Sequence, residues 1–203
     1  MKFWILLQLC LSFFQLPIAR GQTSQPLTHQ SEERLSNSKS DLKEVESNEK
    51  KMLVLLWEAA ETGDLELLKT WSGDFDAADE QGETALIKSC DSGRFKFVEF
   101  LLTKKVNFEK RDKAGFPALF YAISAGHAEI VRLLLKAGAL VKDLDRQMSE
   151  DALFEAARVG KAEILELLVQ HEPSQLRDLN RSGETALFMA LRFFQVEAFS
   201  QLL

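Results

Sequence analysis

The sequence predicts an all-α solenoid of about five helix-turn-helix repeats, preceded by an export signal and a disordered tail. A leucine that begins a short apolar helix recurs every 33 or 34 residues. Its positions are Leu86, Leu119, Leu153 and Leu187, with an earlier and shorter copy at Leu56. In four of the five copies a glycine follows seven residues later, and a second apolar helix comes after it. This period with two helices per unit is typical of stacked helical repeats.

The clearest unit runs from Asp112 to Leu144. Its first helix contains Leu119, a break follows at Gly126, and its second helix ends before Gly138. Two helices this short cannot bury their apolar faces alone, so the unit predicts neighbours of the same kind. We expect one repeat domain over residues 42–203, with repeats at about 52–78, 79–111, 112–145, 146–179 and 180–203.

This unit resembles an ankyrin repeat, and the resemblance covers about residues 51–203. The residues that match the family pattern are Asp112, Gly115, Leu119, Ala122, Gly126, His127, Glu129, Ile130, Val131, Leu133, Leu134, Leu135, Gly138 and Ala139. The fourth copy departs from the pattern over residues 145–151, and the last copy has Phe194 in place of the break glycine. The resemblance implies a rigid concave stack that contacts other proteins through turn tips and first helices.

Residues 1–21 resemble an export signal. Lys2 is the only charge before Arg20, and the apolar run between them is about sixteen residues, shorter than the roughly 20 of a membrane-spanning helix. Small residues at Ala19 and Gly21 favour cleavage before Gln22. We expect export, to the periplasm if the source is a bacterium with two membranes and otherwise to the outside. The alternative is an uncleaved amino-terminal membrane anchor.

Residues 22–41 are polar and charged with few aliphatic side chains, which predicts a disordered linker. Asp41 and Glu44 resemble a helix-start capping pattern, so we expect a long first helix that covers the end of the stack. The alternative is a solvated linker that continues to about Lys50. At the other end of the chain, we expect Phe194 to pack under neighbouring helices.

The sequence contains no recognisable catalytic or metal-binding motif. It has no glycine-rich phosphate loop, serine nucleophile motif or Cys/His cluster. His127 matches the structural histidine of the family, and Cys90 falls at a helix-core position, where we expect it to be buried. We therefore predict a protein that is not an enzyme and that needs no cofactor or metal.

The charge points to a protein partner. The net charge is −6, and without Lys2 and Arg20 the rest of the chain carries −8. This balance argues against nucleic acid, which requires a basic face, and leaves cationic protein surfaces as partners. We expect no contact with a membrane beyond the export signal or its alternative as an anchor.

We predict a non-catalytic protein-protein interaction module. The candidate contact residues are Glu83, Asp91, Lys113, Phe116, Ser124, Met148, Arg158, Arg181, Arg192 and Phe193. Phe116, Met148 and Phe193 are the expected anchors, because interface energy concentrates in buried apolar side chains. Acidic residues lie in the early repeats and arginines in the later ones, which predicts a partner with the opposite charge gradient. The alternatives are a membrane-tethered structural or scaffold protein and an enzyme with an unrecognised site.

Overall fold

The structure is a computed structural model that describes residues 48–142 and 151–202. The predicted export signal (1–21), the predicted linker (22–41) and Met148 lie outside these residues. The described chain forms ten α-helices in five successive pairs and no β-strand, which confirms the predicted all-α solenoid. The helices are α1 (48–62), α2 (Glu66–Thr70), α3 (Ala85–Asp91), α4 (Phe95–Thr103), α5 (Ala118–Ala125), α6 (Ala128–Ala137), α7 (Ala152–Val159), α8 (Ala162–His171), α9 (Ala186–Arg192) and α10 (Val196–Leu202). A 3-10 helix, Pro173–Arg177, follows α8.

The helices begin and end where the sequence supplies capping groups. The Thr84 hydroxyl accepts a hydrogen bond from the backbone N–H of Ile87, and the Thr185 hydroxyl accepts one from the backbone N–H of Phe188 in α9. Both contacts satisfy an amide at a helix start that has no partner within the helix. Gly126 ends α5 with φ +82°, a left-handed conformation that costs glycine little.

Each pair packs against the next pair to form a two-layer stack. The first helices α3, α5, α7 and α9 contact one another in order, and the second helices α4, α6, α8 and α10 form a parallel series of contacts. Small side chains at the equivalent positions Ala122, Ala156 and Ala190 are fully buried, which lets neighbouring helices approach closely. The core is thus built from contacts between neighbouring repeats, as expected of a solenoid.

Two side chains, His127 and Cys90, have the structural roles that the sequence predicts. His127 Nε2 lies 3.0 Å from the backbone carbonyl oxygen of Asp91, to which it donates because a carbonyl can only accept. The ring lies so close to Gly93 that a Cβ there would approach it to 2.5 Å. Cys90 is fully buried, as predicted.

The two ends of the stack differ from the expectations in part. Residues 48–50 are helical, so the described chain does not continue as a linker to Lys50. In α1, Leu56 is fully buried, but Met52 and Leu55 remain 42% and 46% exposed. The expectation that Phe194 packs under neighbouring helices is wrong: it is 89% exposed with φ +55°. The break position keeps its left-handed backbone, and this geometry directs the ring away from the core.

Candidate functional site

At an equivalent position of two repeats, a side-chain oxygen accepts backbone hydrogen bonds that stabilise the turn at the tip of the repeat. Asp79 Oδ1 accepts hydrogen bonds from the backbone N–H groups of Gln81 and Glu83, both at 2.9 Å. Asn180 Oδ1 accepts hydrogen bonds from the backbone N–H groups of Ser182 and Glu184, both at 3.0 Å. Successive tips are also connected, because the Lys113 N–H donates to the Gln81 carbonyl at 2.8 Å. The tips are therefore held in place before any partner arrives.

Three aromatic rings form a cluster where the tip of the third repeat meets α5. The ring of Phe116 stacks on Phe120 with centroids 3.9 Å apart, and Tyr121 meets both rings edge-on. The Tyr121 hydroxyl donates to Asp112 Oδ2 at 2.5 Å. Burial of the hydroxyl and this hydrogen bond to a carboxylate both raise the pKa of Tyr121 well above its usual value.

The aromatic cluster lies at one side of a groove of about 320 Å³ that extends across the third, fourth and fifth repeats. We call it the aromatic groove. Its lining residues are Phe116, Phe120, Glu155, Arg158, Asn180, Ser182, Glu184, Met189, Arg192 and Phe193. Four of the predicted contact residues, from three different repeats, therefore line one concavity.

The two arginines of the aromatic groove are paired with carboxylates. Arg158 forms two hydrogen bonds with Glu155, at 2.6 and 2.8 Å, and the Glu155 side chain is only 5% exposed. Arg192 lies 3.1 Å from Glu184, and its guanidinium also lies over the ring of Phe193 at 5.9 Å. Adjacent carboxylates therefore balance the charge of these two arginines, which were expected from the sequence to form the basic end of a charge gradient.

A second groove, of about 250 Å³, lies between the first helices of the early repeats. We call it the acidic groove. Its lining residues are Glu61, Glu83, Ile87, Lys88, Asp91, Ser92 and Tyr121. The predicted contact residues Glu83 and Asp91 thus share this groove.

Lys88 is the ion-pair centre of the acidic groove. Its ammonium lies 2.9 Å from Glu83, 3.0 Å from Asp79 and 3.2 Å from Glu61, and its side chain is 14% exposed. Burial alone would lower the pKa of Lys88, but the hydrogen bonds to Glu83, Asp79 and Glu61 outweigh burial and raise it. The Lys88 ammonium therefore stays charged and paired with these three carboxylates.

Residues 56–145 match the family model described as ankyrin repeats, in three copies. This segment of the chain consists of ankyrin repeats. The helix pairs α7–α8 and α9–α10 continue the ankyrin stack beyond the matched segment. Ankyrin repeats are generally protein-protein interaction modules. A search of curated proteins finds no match to the chain.

The other predicted contact residues occupy separate places on the ankyrin stack. Lys113 is exposed at the tip of the third repeat and Arg181 at the tip of the fifth, and Ser124 is half-buried near the end of α5. None of these three lines either groove. Within residues 48–142 and 151–202, no three His, Cys, Asp or Glu side chains cluster as metal ligands would. No helix in the same residues is long and apolar enough to cross a membrane.

The sequence-based site overlooked several groove residues that a closer reading of spacing would have found. Phe120 lies in the first turn of α5, and Phe116 lies in the tip just before that helix, so the two rings are only four residues apart in sequence. Glu155 precedes Arg158 by three residues, which is also an ion-pairing distance on a helix. Lys88 carries no such signal, because Glu83 and Asp79 precede it by five and nine residues and Glu61 comes from the first repeat.

Proposed function

We propose that the chain is an exported, non-catalytic module that binds a partner protein through the concave face and turn tips of its ankyrin repeats. The observation that carries the proposal is the aromatic groove, in which Phe116, Arg158, Arg192 and Phe193 come together from three repeats. Ankyrin repeats generally serve as protein-protein interaction modules, which supports the same conclusion.

The chemistry of the groove supports binding. Aromatic and arginine side chains are the groups in which interface energy most often concentrates. Phe193 is 43% exposed and Arg192 is 57% exposed, so both have surface left to bury against a partner. Because the tips are already fixed by hydrogen bonds, binding does not have to order them, which lowers its entropic cost.

The pKa shifts of Lys88, in the acidic groove, and of its partner Asp79 support a role other than catalysis. Burial would raise the pKa of Asp79, but hydrogen bonds from Lys88 and from the backbone N–H groups of Glu83 and Gln81 lower it. Lys88 is held charged by the same contacts. Both groups are fixed in the charged form that an ion pair requires, whereas an acid or base catalyst must exchange its proton.

The experiment that tests the binding face is a paired capture. The full chain with Phe116→Ala and Phe193→Ala is used to purify partners from its native compartment, beside a control with Phe95→Ala and Phe188→Ala. The control rings are 37% and 51% exposed and lie outside the aromatic groove. We expect unchanged helicity in both variants and loss of the partner in the groove variant alone. Equal capture by both variants would exclude this face.

Export and the alternative membrane tether are separated by a second experiment. The full chain with a carboxy-terminal tag is expressed in its source, and the amino terminus of the tagged product is sequenced after fractionation. We expect a product that begins at Gln22 and is released from membranes. A product that keeps residues 1–21 and sediments with membranes would favour the tethered scaffold instead.

A further inference from the structure

Tyr121 connects the two grooves along the concave face. It lines the acidic groove, and its ring meets Phe116 and Phe120 edge-on, with centroids 6.5 and 5.7 Å away. Phe116 and Phe120 in turn line the aromatic groove. The two grooves are therefore neighbours that share the aromatic cluster as their boundary, and one extended ligand can occupy both.

The charge along this path is uneven. Around the acidic groove, the carboxylates of Glu61, Asp79 and Glu83 pair with the ammonium of Lys88, and Asp91 is a fourth carboxylate on the lining. Arg94, whose Nε donates to the Glu61 backbone carbonyl at 2.7 Å, is a second cation nearby, so two negative charges remain in excess. Glu61 is 52% exposed and Asp91 is exposed, so both carboxylates are accessible to a ligand.

The aromatic groove differs from the acidic groove in both charge and polarity. Its two arginines are each paired with a carboxylate, Arg158 with Glu155 and Arg192 with Glu184. An acidic ligand would have to compete with Glu155, which is almost completely buried and already makes two hydrogen bonds to Arg158. Four of the six remaining lining residues are apolar, Phe116, Phe120, Phe193 and Met189, beside the polar Asn180 and Ser182, and this lining favours an apolar side chain.

We infer that the ligand is an extended segment of a partner protein that places a lysine or arginine against Glu61 and Asp91 and a large apolar side chain in the aromatic groove. This inference rests on the proposed function. It replaces the two-ended charge gradient expected from the sequence with a segment that is basic at one end and apolar at the other. Complementary charge of this kind sets specificity and speeds encounter.

The repeat geometry also fixes the spacing. The acidic groove spans the first three repeats and is centred near the second, and the aromatic groove is centred near the fourth. Packed helices lie about 10 Å apart, so the two groove centres, two repeats apart, are separated by about 20 Å. An extended chain advances about 3.3 Å per residue, which places the basic residue about six residues from the apolar one.

The test begins with a displayed library of random twelve-residue peptides selected on the full chain alone, and each enriched peptide is then assayed for binding to the Phe116→Ala/Phe193→Ala variant. The strongest peptide is then synthesised with a fluorescent label and its binding is measured by anisotropy. We compare the wild type with Glu61→Gln/Asp91→Asn, which removes two exposed carboxylates but leaves Asp79 and Glu83 to hold Lys88. The matched control is Glu99→Gln/Glu129→Gln, which removes the same charge from the second helices α4 and α6.

We expect the selected peptides to carry Lys or Arg about six residues from a large apolar residue. Their affinity should fall about tenfold in Glu61→Gln/Asp91→Asn, decrease with added salt and stay unchanged in the control. Selected peptides that need Phe116 and Phe193 but are acidic or uncharged would overturn this inference and leave the proposed function standing. Peptides held equally by the Phe116→Ala/Phe193→Ala variant would count against the proposed face itself. A selection without enrichment would also overturn the inference, whereas partner capture tests the proposed function independently.

Discussion

The Tyr121 hydroxyl donates a 2.5 Å hydrogen bond to Asp112 Oδ2, which joins a turn tip to the first helix of the same repeat. The other carboxylate oxygen of Asp112 accepts from the backbone N–H of Phe116 at 2.8 Å. One carboxylate therefore holds both Phe116 and Tyr121, two of the three rings at the boundary between the grooves. The shape of the proposed binding face thus depends on a turn residue that does not itself line either groove.

The first prediction concerns this contact. Tyr121→Phe removes the hydroxyl and leaves the ring, so we expect the free energy of unfolding to fall by about 1 kcal/mol, as for loss of a partly buried hydrogen bond. Urea denaturation followed by circular dichroism measures it. The control is a double-mutant cycle with Asp112→Asn, which should show coupling between the two side chains. Additive effects would mean that the contact contributes nothing to stability.

The second prediction concerns Asp79 and acid. The folded-state pKa of Asp79 is lowered, because the hydrogen bonds from Lys88 and two backbone N–H groups outweigh the opposing effect of burial. A carboxyl with a lowered folded pKa stabilises the fold above its unfolded pKa of about 4, and this stabilisation is lost as the pH falls through the folded value. Asp79→Asn should therefore be less stable than the wild type at pH 7, and the difference should shrink below about pH 4.

Urea denaturation at pH 7, 5 and 3 measures this difference. Asparagine is a fair replacement, since Asn180 holds the equivalent turn of the fifth repeat through the same pair of backbone contacts. A difference between Asp79→Asn and the wild type that stays constant from pH 7 to pH 3 would contradict the assignment of the charge effect to Asp79.

The third prediction is a stabilising substitution. Gln175 is fully buried in the 3-10 helix after α8, and neither polar atom of its side chain has a hydrogen-bond partner within the described part of the chain. A buried polar group without a partner costs about 1–3 kcal/mol. Gln175→Met has a similar size and no such groups, so it should raise the free energy of unfolding by about 1 kcal/mol or more. Gln170→Met, at an exposed position of α8, is the control and should change little.

The fourth prediction concerns the thiol of Cys90. The side chain is fully buried, and burial raises the pKa of the thiol far above its usual value. Because the thiolate is the reactive form, the protein that begins at Gln22, in which Cys90 is the single cysteine, should not react with Ellman's reagent when native, and reaction should appear only as urea unfolds the chain. Rapid reaction of Cys90 in the native protein would mean that this part of the stack opens readily.

The sequence predicted the features that recur along the chain, but it did not predict features that depend on tertiary contacts. The helix pairs and the break at Gly126 follow from local spacing, and the structure confirms them. The exposure of Phe194 could not be read from its apolar character, because burial requires another element above the ring. The excess negative charge around Lys88 likewise depends on Glu61, which comes from the first repeat, and on Asp79, which lies nine residues before Lys88.

The central claim is that the concave face of the stack contacts a partner protein, and site-specific photo-crosslinking tests it most directly. A photoreactive phenylalanine analogue is introduced at Phe193, in the aromatic groove, and separately at Phe95, an exposed ring on α4 outside the groove. Both proteins are irradiated in the native compartment and resolved by mass. We predict a specific crosslinked product from position 193 and none from position 95. Crosslinking from position 95 alone, or equally from both positions, would contradict the account.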